Sequence, residues 1–140
     1  MEDNEADAQL IVEGLSETVL PYKLHIVEDG QAALDYLRQR PPYSGASLPD
    51  LILLDLNLPR KNGMEVLEEI KSDHRLRRIP VLVLTSSHSE ADVLAAYDRG
   101  ANSYLRKPGS LGEIYDLMKT LEHYWRGLSV LPPRLAPPPR

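Results

Sequence analysis

Two uninterrupted apolar runs, each followed by a polar residue, constrain the fold of this chain more than any other feature. Residues 51–54 are all Leu or Ile and are followed by Asp55, and residues 81–84 are all Val or Leu and are followed by Thr85. A strand with apolar residues on both faces is typical of a buried strand in a parallel sheet. The sequence therefore predicts two buried strands, with a carboxylate at the carboxyl end of one and a hydroxyl at that of the other.

Helical segments separate the predicted strands. Apolar residues at helical spacing predict a first helix over about residues 4–18, and a second helix is expected from Asp29 or Gly30 to about Arg38. Between these two helices, residues 23–27 are expected to form a strand.

Three further helices are expected to begin at capping pairs, in which a polar residue stands three positions before a carboxylate. The pairs are Asn62 with Glu65, Ser89 with Asp92, and Ser110 with Glu113. A short strand is expected at 103–105, and Gly100 is expected to end the helix before it. Strict alternation of strand and helix predicts an α/β fold, a doubly wound parallel sheet with helices on both faces.

Composition narrows the class of protein. The 140 residues carry a formal net charge of -5 and are 42% hydrophobic, which suits one domain with a real core and argues against a nucleic-acid surface. The chain has no cysteine and begins with an acidic segment, and it has no apolar stretch of the roughly 20 residues that a membrane helix needs. We therefore expect a cytoplasmic protein with no membrane or nucleic-acid partner.

A third reactive side chain, Lys107, follows the run at 103–105. Because the carboxyl ends of parallel strands share one edge of the sheet, Asp55, Thr85 and Lys107 are expected to meet there. Taken alone, Asp55 is explained as well by a turn after its strand. The other two strand-end residues favour a functional site.

The acidic residues Glu2 and Asp3 are expected to add two carboxylates to this edge. Carboxylates about 4 Å apart repel by roughly 4 kcal/mol a pair at an effective dielectric of about 20, and Lys107 together with a Mg²⁺ ion would offset that repulsion. Such a site suits phosphoryl transfer, with Asp55 as the nucleophile and Lys107 and the metal neutralising the phosphoryl oxygens. Thr85 would then hydrogen-bond one of those oxygens.

Four segments, taken in order, resemble the receiver domain of two-component response regulators. They are residues 2–4, 51–59, 83–86 and 100–108. The resemblance extends to about Trp125 and implies a flavodoxin-like, three-layer fold with a receiver domain over 1–126. The remaining residues, 127–140, are proline-rich and are expected to form an extended tail. Within the family the sequence is most similar to small single-domain regulators paired with phytochrome-type histidine kinases, on segments 41–49, 50–59, 123–125 and 131–132.

The resemblance implies a phosphorelay protein. Asp55 corresponds to the phosphoacceptor and Lys107 to the lysine that binds the phosphate. Thr85 and Tyr104 correspond to a switch pair, in which the hydroxyl turns toward the phosphate and the ring fills the space behind it. The phosphoryl donor would be a sensor histidine kinase, and the chain would signal through protein contacts and not as an enzyme.

The resemblance also implies the metal ligands. Glu2 and Asp3 correspond to the acidic pair, with Asp3 as a direct Mg²⁺ ligand beside Asp55, and the backbone carbonyl of Asn57 corresponds to a further ligand. The bond between Lys107 and Pro108 is similar to one that is often cis in this family.

One departure from the family pattern concerns the first strand, which normally precedes the acidic pair. Only Met1 stands before Glu2, so the fold is expected to lack most of that strand. Loss of about five buried side chains, at roughly 1.5–3 kcal/mol each, would rival the stability of a domain. Three explanations compete: a true start upstream, which we favour, a strand supplied by a neighbouring chain, or a sheet of four strands.

Alternative functions and an assembly also follow from the sequence. A phosphatase of the haloacid dehalogenase kind is disfavoured because Asn57 stands where its general acid belongs. A pseudo-receiver that binds partners without phosphorylation remains the alternative. An apolar stripe on the last helix favours a homodimer through the 89–99 helix, the last strand and the 110–126 helix.

Overall fold

A computed structural model of the chain describes Met1, Gln9 and residues 24–133. The helix expected over residues 4–18 lies outside this part except for Gln9, which is helical. Glu2 and Asp3 also lie outside it.

Four α-helices and three strands alternate through residues 24–133. The elements are α1 (Gly30–Leu37), β1 (Ile52–Leu54), α2 (Gly63–Ser72), β2 (Val81–Thr85), α3 (Glu90–Asp98), β3 (Ser103–Arg106) and α4 (Leu111–Glu122), followed by a π-helical turn (His123–Leu128). The strands are parallel in the order β1-β2-β3, so the predicted α/β architecture is confirmed.

The core lies between the sheet and the helices α1 and α2. All five residues of β2 are buried, as expected for a central strand with neighbours on both sides. The largest fully buried side chains of the helices and of β1 complete this core: Leu34, Leu37, Leu54, Leu67 and Ile70. Because the three strands are parallel, their carboxyl ends meet at one edge of the sheet.

The helix starts follow the predicted capping chemistry. The side chains of Asn62, Ser89 and Ser110 each accept a hydrogen bond from the backbone N–H three residues on. Gly100 follows α3 with a φ of 97°, a left-handed conformation that glycine adopts without steric cost, so the predicted end of this helix is also confirmed.

The strand predicted over residues 23–27 is wrong for its described part, because residues 24–27 form no strand. A strand needs a partner, and on the outer edge of β1 the described residues supply only Met1. The Met1 ammonium donates to the Leu53 carbonyl at 2.9 Å, and the Asp55 N–H donates to the Met1 carbonyl at 3.1 Å. Among the described residues, Met1 thus forms one parallel bridge on that edge.

The tail is described as far as Pro133. Residues 129–133 have no regular structure, and Pro132 and Pro133 line a shallow groove with Leu48, Pro49 and Ile79 at the amino end of the sheet. Among the helices formed by described residues, none has the length and apolar character needed to cross a bilayer.

Candidate functional site

The site is built around Asp55, which directly follows β1. Its side chain is 5% exposed, yet both carboxylate oxygens have partners. Oδ1 accepts the Asn57 N–H at 3.0 Å, and Oδ2 accepts the Lys107 ammonium at 2.9 Å. A buried carboxylate needs such compensation, because its hydration is lost.

Lys107 and Thr85 reach this edge through the pairing of β2 with β3. Thr85 pairs with Arg106, and the next backbone N–H, that of Lys107, donates to the Thr85 carbonyl at 2.8 Å. Thr85 is fully buried and the Lys107 side chain is 14% exposed. The structure therefore brings Asp55 and Lys107 into direct contact and ties Thr85 to Lys107 through the backbone, at the predicted edge.

Tyr104 lies next to this edge and is turned inward, because its ring packs on the hydrophobic core. Its hydroxyl donates to the Ser87 carbonyl at 3.2 Å, and its N–H donates to the Tyr97 hydroxyl at 3.2 Å. The Ser87 N–H in turn donates to the Thr85 hydroxyl oxygen at 3.4 Å. Thr85 and Tyr104 are therefore connected through Ser87, a residue that the sequence analysis did not single out.

Gly63 was also missed. A Cβ on Gly63 would lie 2.3 Å from the Asp55 carbonyl oxygen and 2.5 Å from the Leu56 Cα, and the Gly63 N–H donates to the Leu56 carbonyl at 3.0 Å. The start of α2 thus rests directly on the backbone of the central carboxylate. A glycine immediately after the Asn62 cap was the available signal, since glycine permits close backbone approach.

The loop between β1 and α2 is fixed by contacts to neighbouring helices. A Cβ on Gly30 would lie 1.8 Å from the Lys61 carbonyl oxygen, so this loop packs on the start of α1. The Lys61 ammonium donates to Glu69 at 2.6 Å, and Arg60 lies 3.4 Å from Asp29. These contacts connect the loop that follows Asp55 to α1 and α2.

Two of the oxygen ligands predicted for a divalent cation lie among the described residues. Asp55 and the backbone carbonyl of the exposed Asn57 have the chemistry that Mg²⁺ prefers. The predicted ligands Glu2 and Asp3 lie outside the described residues. Within residues 24–133, with Met1 and Gln9, no three acidic, histidine or cysteine side chains cluster as a complete metal site.

One sequence expectation at this edge is wrong. The cis peptide bond of the described residues joins Pro41 to Pro42, and the Lys107–Pro108 bond is trans. Trans is the lower-energy form of an X–Pro bond, and the Lys107 contacts to Asp55 and Thr85 are all made with it.

The opposite end of the sheet has its own polar cluster. The Lys71 ammonium donates to the carbonyls of Arg77 and Ile79 and to the Asn102 side-chain oxygen, at 3.0, 2.9 and 3.1 Å. The same Asn102 oxygen accepts the Val81 N–H at 2.8 Å. Burial lowers the pKa of Lys71 below its ordinary value, because the charged ammonium is partly removed from water.

Comparison with known proteins agrees with this geometry. The family described as the response regulator receiver domain matches residues 1–119. The response regulator Rcp1 of Synechocystis sp. is 44% identical over 132 residues, which cover 94% of this chain and 90% of Rcp1.

Two solved structures are similar along nearly the whole chain. Phosphorylated RcpA, a cyanobacterial phytochrome response regulator, is 47% identical, with a TM-score of 0.92 and 95% of each chain covered. The Mn²⁺-bound form of Rcp1 is 44% identical, with a TM-score of 0.91, 95% of this chain and 96% of that chain covered.

Proposed function

Because this chain belongs to the response regulator receiver family, we propose that it is a single-domain response regulator that accepts a phosphoryl group on Asp55. The donor is the phosphohistidine of a sensor histidine kinase. The observation that carries this proposal is the nearly buried Asp55 carboxylate with the Lys107 ammonium 2.9 Å from it, at the carboxyl edge of a parallel sheet.

The transfer is a displacement at phosphorus. An Asp55 carboxylate oxygen forms the new bond to phosphorus, the bond from phosphorus to the histidine nitrogen breaks, and its electron pair returns to the imidazole, which takes up a proton. The Asn57 N–H holds Oδ1 in place, and Lys107 neutralises charge on the phosphoryl oxygens. This chain therefore supplies the nucleophile and much of the electrostatic stabilisation.

We propose Mg²⁺ as the cofactor. Asp55, the Asn57 carbonyl, Glu2 and Asp3 would hold it, and it would supply positive charge to the phosphoryl oxygens. The relative Rcp1 has been solved in a Mn²⁺-bound form, which supports binding of a divalent cation by this chain.

Thr85 and Tyr104 form the proposed switch. A phosphorylated Asp55 carries close to two negative charges, which attract the Thr85 hydroxyl and the Lys107 ammonium. Movement of Thr85 reaches Tyr104 because both contact Ser87. The phosphoryl group thereby changes the surface formed by α3, β3 and α4.

That surface is the proposed site of homodimer formation. Leu94 and Tyr97 on α3 and Leu111 at the start of α4 are 65%, 48% and 46% exposed, so these helices offer apolar side chains that a second copy would cover. The similarity to RcpA supports a phytochrome-type kinase as the upstream partner. We propose that the two proteins meet in the cytoplasm. In this proposal residues 1–126 act as the receiver, 127–140 as a tail, and the protein catalyses no reaction of a separate substrate.

Intact mass spectrometry after incubation with acetyl phosphate tests the proposed function. Wild type is expected to gain one phosphoryl group only when Mg²⁺ is present, and Asp55→Asn is expected to gain none. Asp116→Asn, which removes an exposed carboxylate from α4, is the matched control and should behave like wild type. Absence of an adduct on folded wild type, or an adduct that persists in Asp55→Asn, would contradict the proposal.

A further inference from the structure

Ser87 connects the two proposed switch residues through its own backbone. Its N–H donates to the Thr85 hydroxyl oxygen at 3.4 Å, and its carbonyl accepts the Tyr104 hydroxyl at 3.2 Å. A displacement of Ser87 therefore alters the surroundings of both side chains at once.

The position of Ser87 is in turn set by Asp92 in the first turn of α3. The Ser87 hydroxyl donates to Asp92 Oδ2 at 2.6 Å, a short bond to a charged acceptor and thus stronger than one between neutral groups. The Ser89 N–H donates to the Ser87 hydroxyl oxygen at 3.3 Å. Asp92 lies at a helix N-terminus, where the backbone dipole favours a negative charge.

We propose that Ser87 and Asp92 are positioning residues that hold the Ser87 carbonyl where the Tyr104 hydroxyl reaches it. We call this pair the Ser87–Asp92 clamp. Without the clamp, the loop between β2 and α3 loses conformational entropy whenever the Ser87 carbonyl accepts the Tyr104 hydroxyl. The clamp therefore biases the unphosphorylated protein toward the inward position of Tyr104 that the structure shows.

This inference rests on the proposed function in one respect, that phosphorylation favours the inward position. If the free protein already populates the inward position, binding of a phosphoryl group or its mimic does not have to supply the free energy of that change. The apparent affinity of the protein for the mimic is then higher. The clamp then sets how readily the protein responds to phosphorylation.

The first test measures Tyr104 in the free protein and needs no phosphoryl chemistry. The chain has 7 tyrosines, so ¹⁹F NMR of 3-fluorotyrosine protein requires Tyr104→Phe to assign the Tyr104 resonance. In Ser87→Ala and Asp92→Ala this resonance is expected to move to the position and solvent isotope shift of an exposed ring. Asp92→Asn retains an acceptor oxygen and is expected to restore most of the wild-type position. An unchanged Tyr104 resonance in both alanine variants would overturn the proposal.

Ser89→Ala is the matched control. It removes the helix cap, a bond from the Asp92 N–H to the Ser89 hydroxyl oxygen, from the same loop but leaves the Ser87–Asp92 bond intact. It is expected to lower stability without moving the Tyr104 resonance. A shift as large as that of Ser87→Ala would show that loosening of the loop, and not the clamp, controls Tyr104.

The second test measures affinity for beryllofluoride, a phosphoryl mimic, with Mg²⁺. Loss of one hydrogen bond predicts an affinity about threefold to tenfold weaker in Ser87→Ala and Asp92→Ala. In a Tyr104→Phe background the same substitutions are expected to have no further effect, and equal weakening in both backgrounds would overturn the proposal. A wild type that binds no beryllofluoride would count against the proposed function, while the Tyr104 resonance would still decide the clamp.

Discussion

The two edges of strand β1 differ in how their backbone is held. The inner edge pairs with β2 at three positions, and β2 pairs with β3 at four more. The outer edge is bonded by Met1 alone among the described residues, through two hydrogen bonds. Among the described residues, strands occur where the backbone is paired, and residues 24–27 form none despite their apolar pattern.

The described residues of the proposed site lie on the side of β1 that pairs with β2. Thr85 and Lys107 lie on the paired side, where the ladder fixes them relative to Asp55. On the other side Val27 is buried by side-chain packing, while Leu24 and Ile26 remain 40% and 39% exposed. Among the described residues, those proposed to bind the phosphoryl group are thus placed by the side of the sheet with the continuous ladder.

The largest expected difference between the two sides comes from a matched pair of leucine truncations. Leu54→Ala removes a fully buried side chain from the paired strand and is expected to cost about 2–5 kcal/mol of unfolding free energy. Leu24→Ala, in the unpaired segment, is expected to cost about 1 kcal/mol or less, because its side chain already contacts water. Urea denaturation of both variants measures the two costs.

Similar costs for the two variants would contradict the division between the edges. In that case residues 24–27 would contribute to the core as much as β1 does. The control is the slope of unfolding free energy against urea concentration, which should be the same in both variants. A changed slope indicates a change in the denatured or native state, or unfolding that is not two-state.

A second prediction concerns the rigidity of the paired side at the site. Gly63→Ala would place a methyl group 2.3 Å from the Asp55 carbonyl oxygen, and backbone atoms cannot rotate away from it. We expect a loss of about 1–3 kcal/mol in stability and a rate of phosphorylation by acetyl phosphate lower by about tenfold or more, because Asp55 is displaced.

Gly112→Ala provides the control for this prediction. A Cβ at Gly112 meets no atom within 4 Å, so alanine there is expected to stabilise α4 by about 0.5–1 kcal/mol and to leave phosphorylation unchanged. An unaltered phosphorylation rate in Gly63→Ala would show that the site tolerates movement of its backbone.

Much of the fold was predictable because its signals are local. An apolar run marks a buried strand, and parallel topology then places the next residue at the shared edge, which is how Asp55, Thr85 and Lys107 were found. The caps at Asn62 and Ser89 likewise depend only on neighbouring residues.

Apart from the Lys107–Pro108 peptide bond, the wrong and missed features depend on contacts between distant segments. Residues 23–27 have a local strand pattern, but pairing requires a partner in space. The approach of Gly63 to Asp55 depends on how the loop returns to the sheet, and the bond from Tyr104 to Ser87 joins residues 17 positions apart. Sequence spacing alone specifies neither contact.

A third prediction tests whether side chains reinforce the ladder on the paired side. The Asn102 N–H donates to the Val81 carbonyl at 2.9 Å, and its side-chain oxygen accepts the Val81 N–H. Asn102→Ala leaves that buried N–H without an acceptor and is expected to cost about 1–3 kcal/mol. Asn102→Asp keeps an acceptor oxygen and is expected to recover most of the loss in thermal or urea unfolding. A mild effect of Asn102→Ala would show that backbone pairing alone holds the amino end of β2.

The smallest expected effect is a pH dependence at Lys71, which also contacts Asn102. Burial lowers the pKa of Lys71 in the folded protein below the ordinary 10.5. Between the lowered value and 10.5 the unfolded chain binds more protons than the folded one, so the contribution of Lys71 to stability rises with pH in that window. The difference in unfolding free energy between wild type and Lys71→Met is therefore expected to grow in favour of wild type as the pH rises through that window toward 10.5.

Urea denaturation at several pH values measures this slope, with Lys119→Met on the exposed face of α4 as the matched loss of a lysine charge. A flat difference would mean that the folded protein binds the Lys71 proton as tightly as the unfolded chain does, and a falling difference would mean that it binds the proton more tightly. The three carbonyl-type acceptors around its ammonium would then fully compensate its burial. A rising difference would mean that these acceptors compensate only part of the cost of removing the Lys71 ammonium from water. The paired side would then owe its rigidity to the ladder and to Asn102 more than to Lys71.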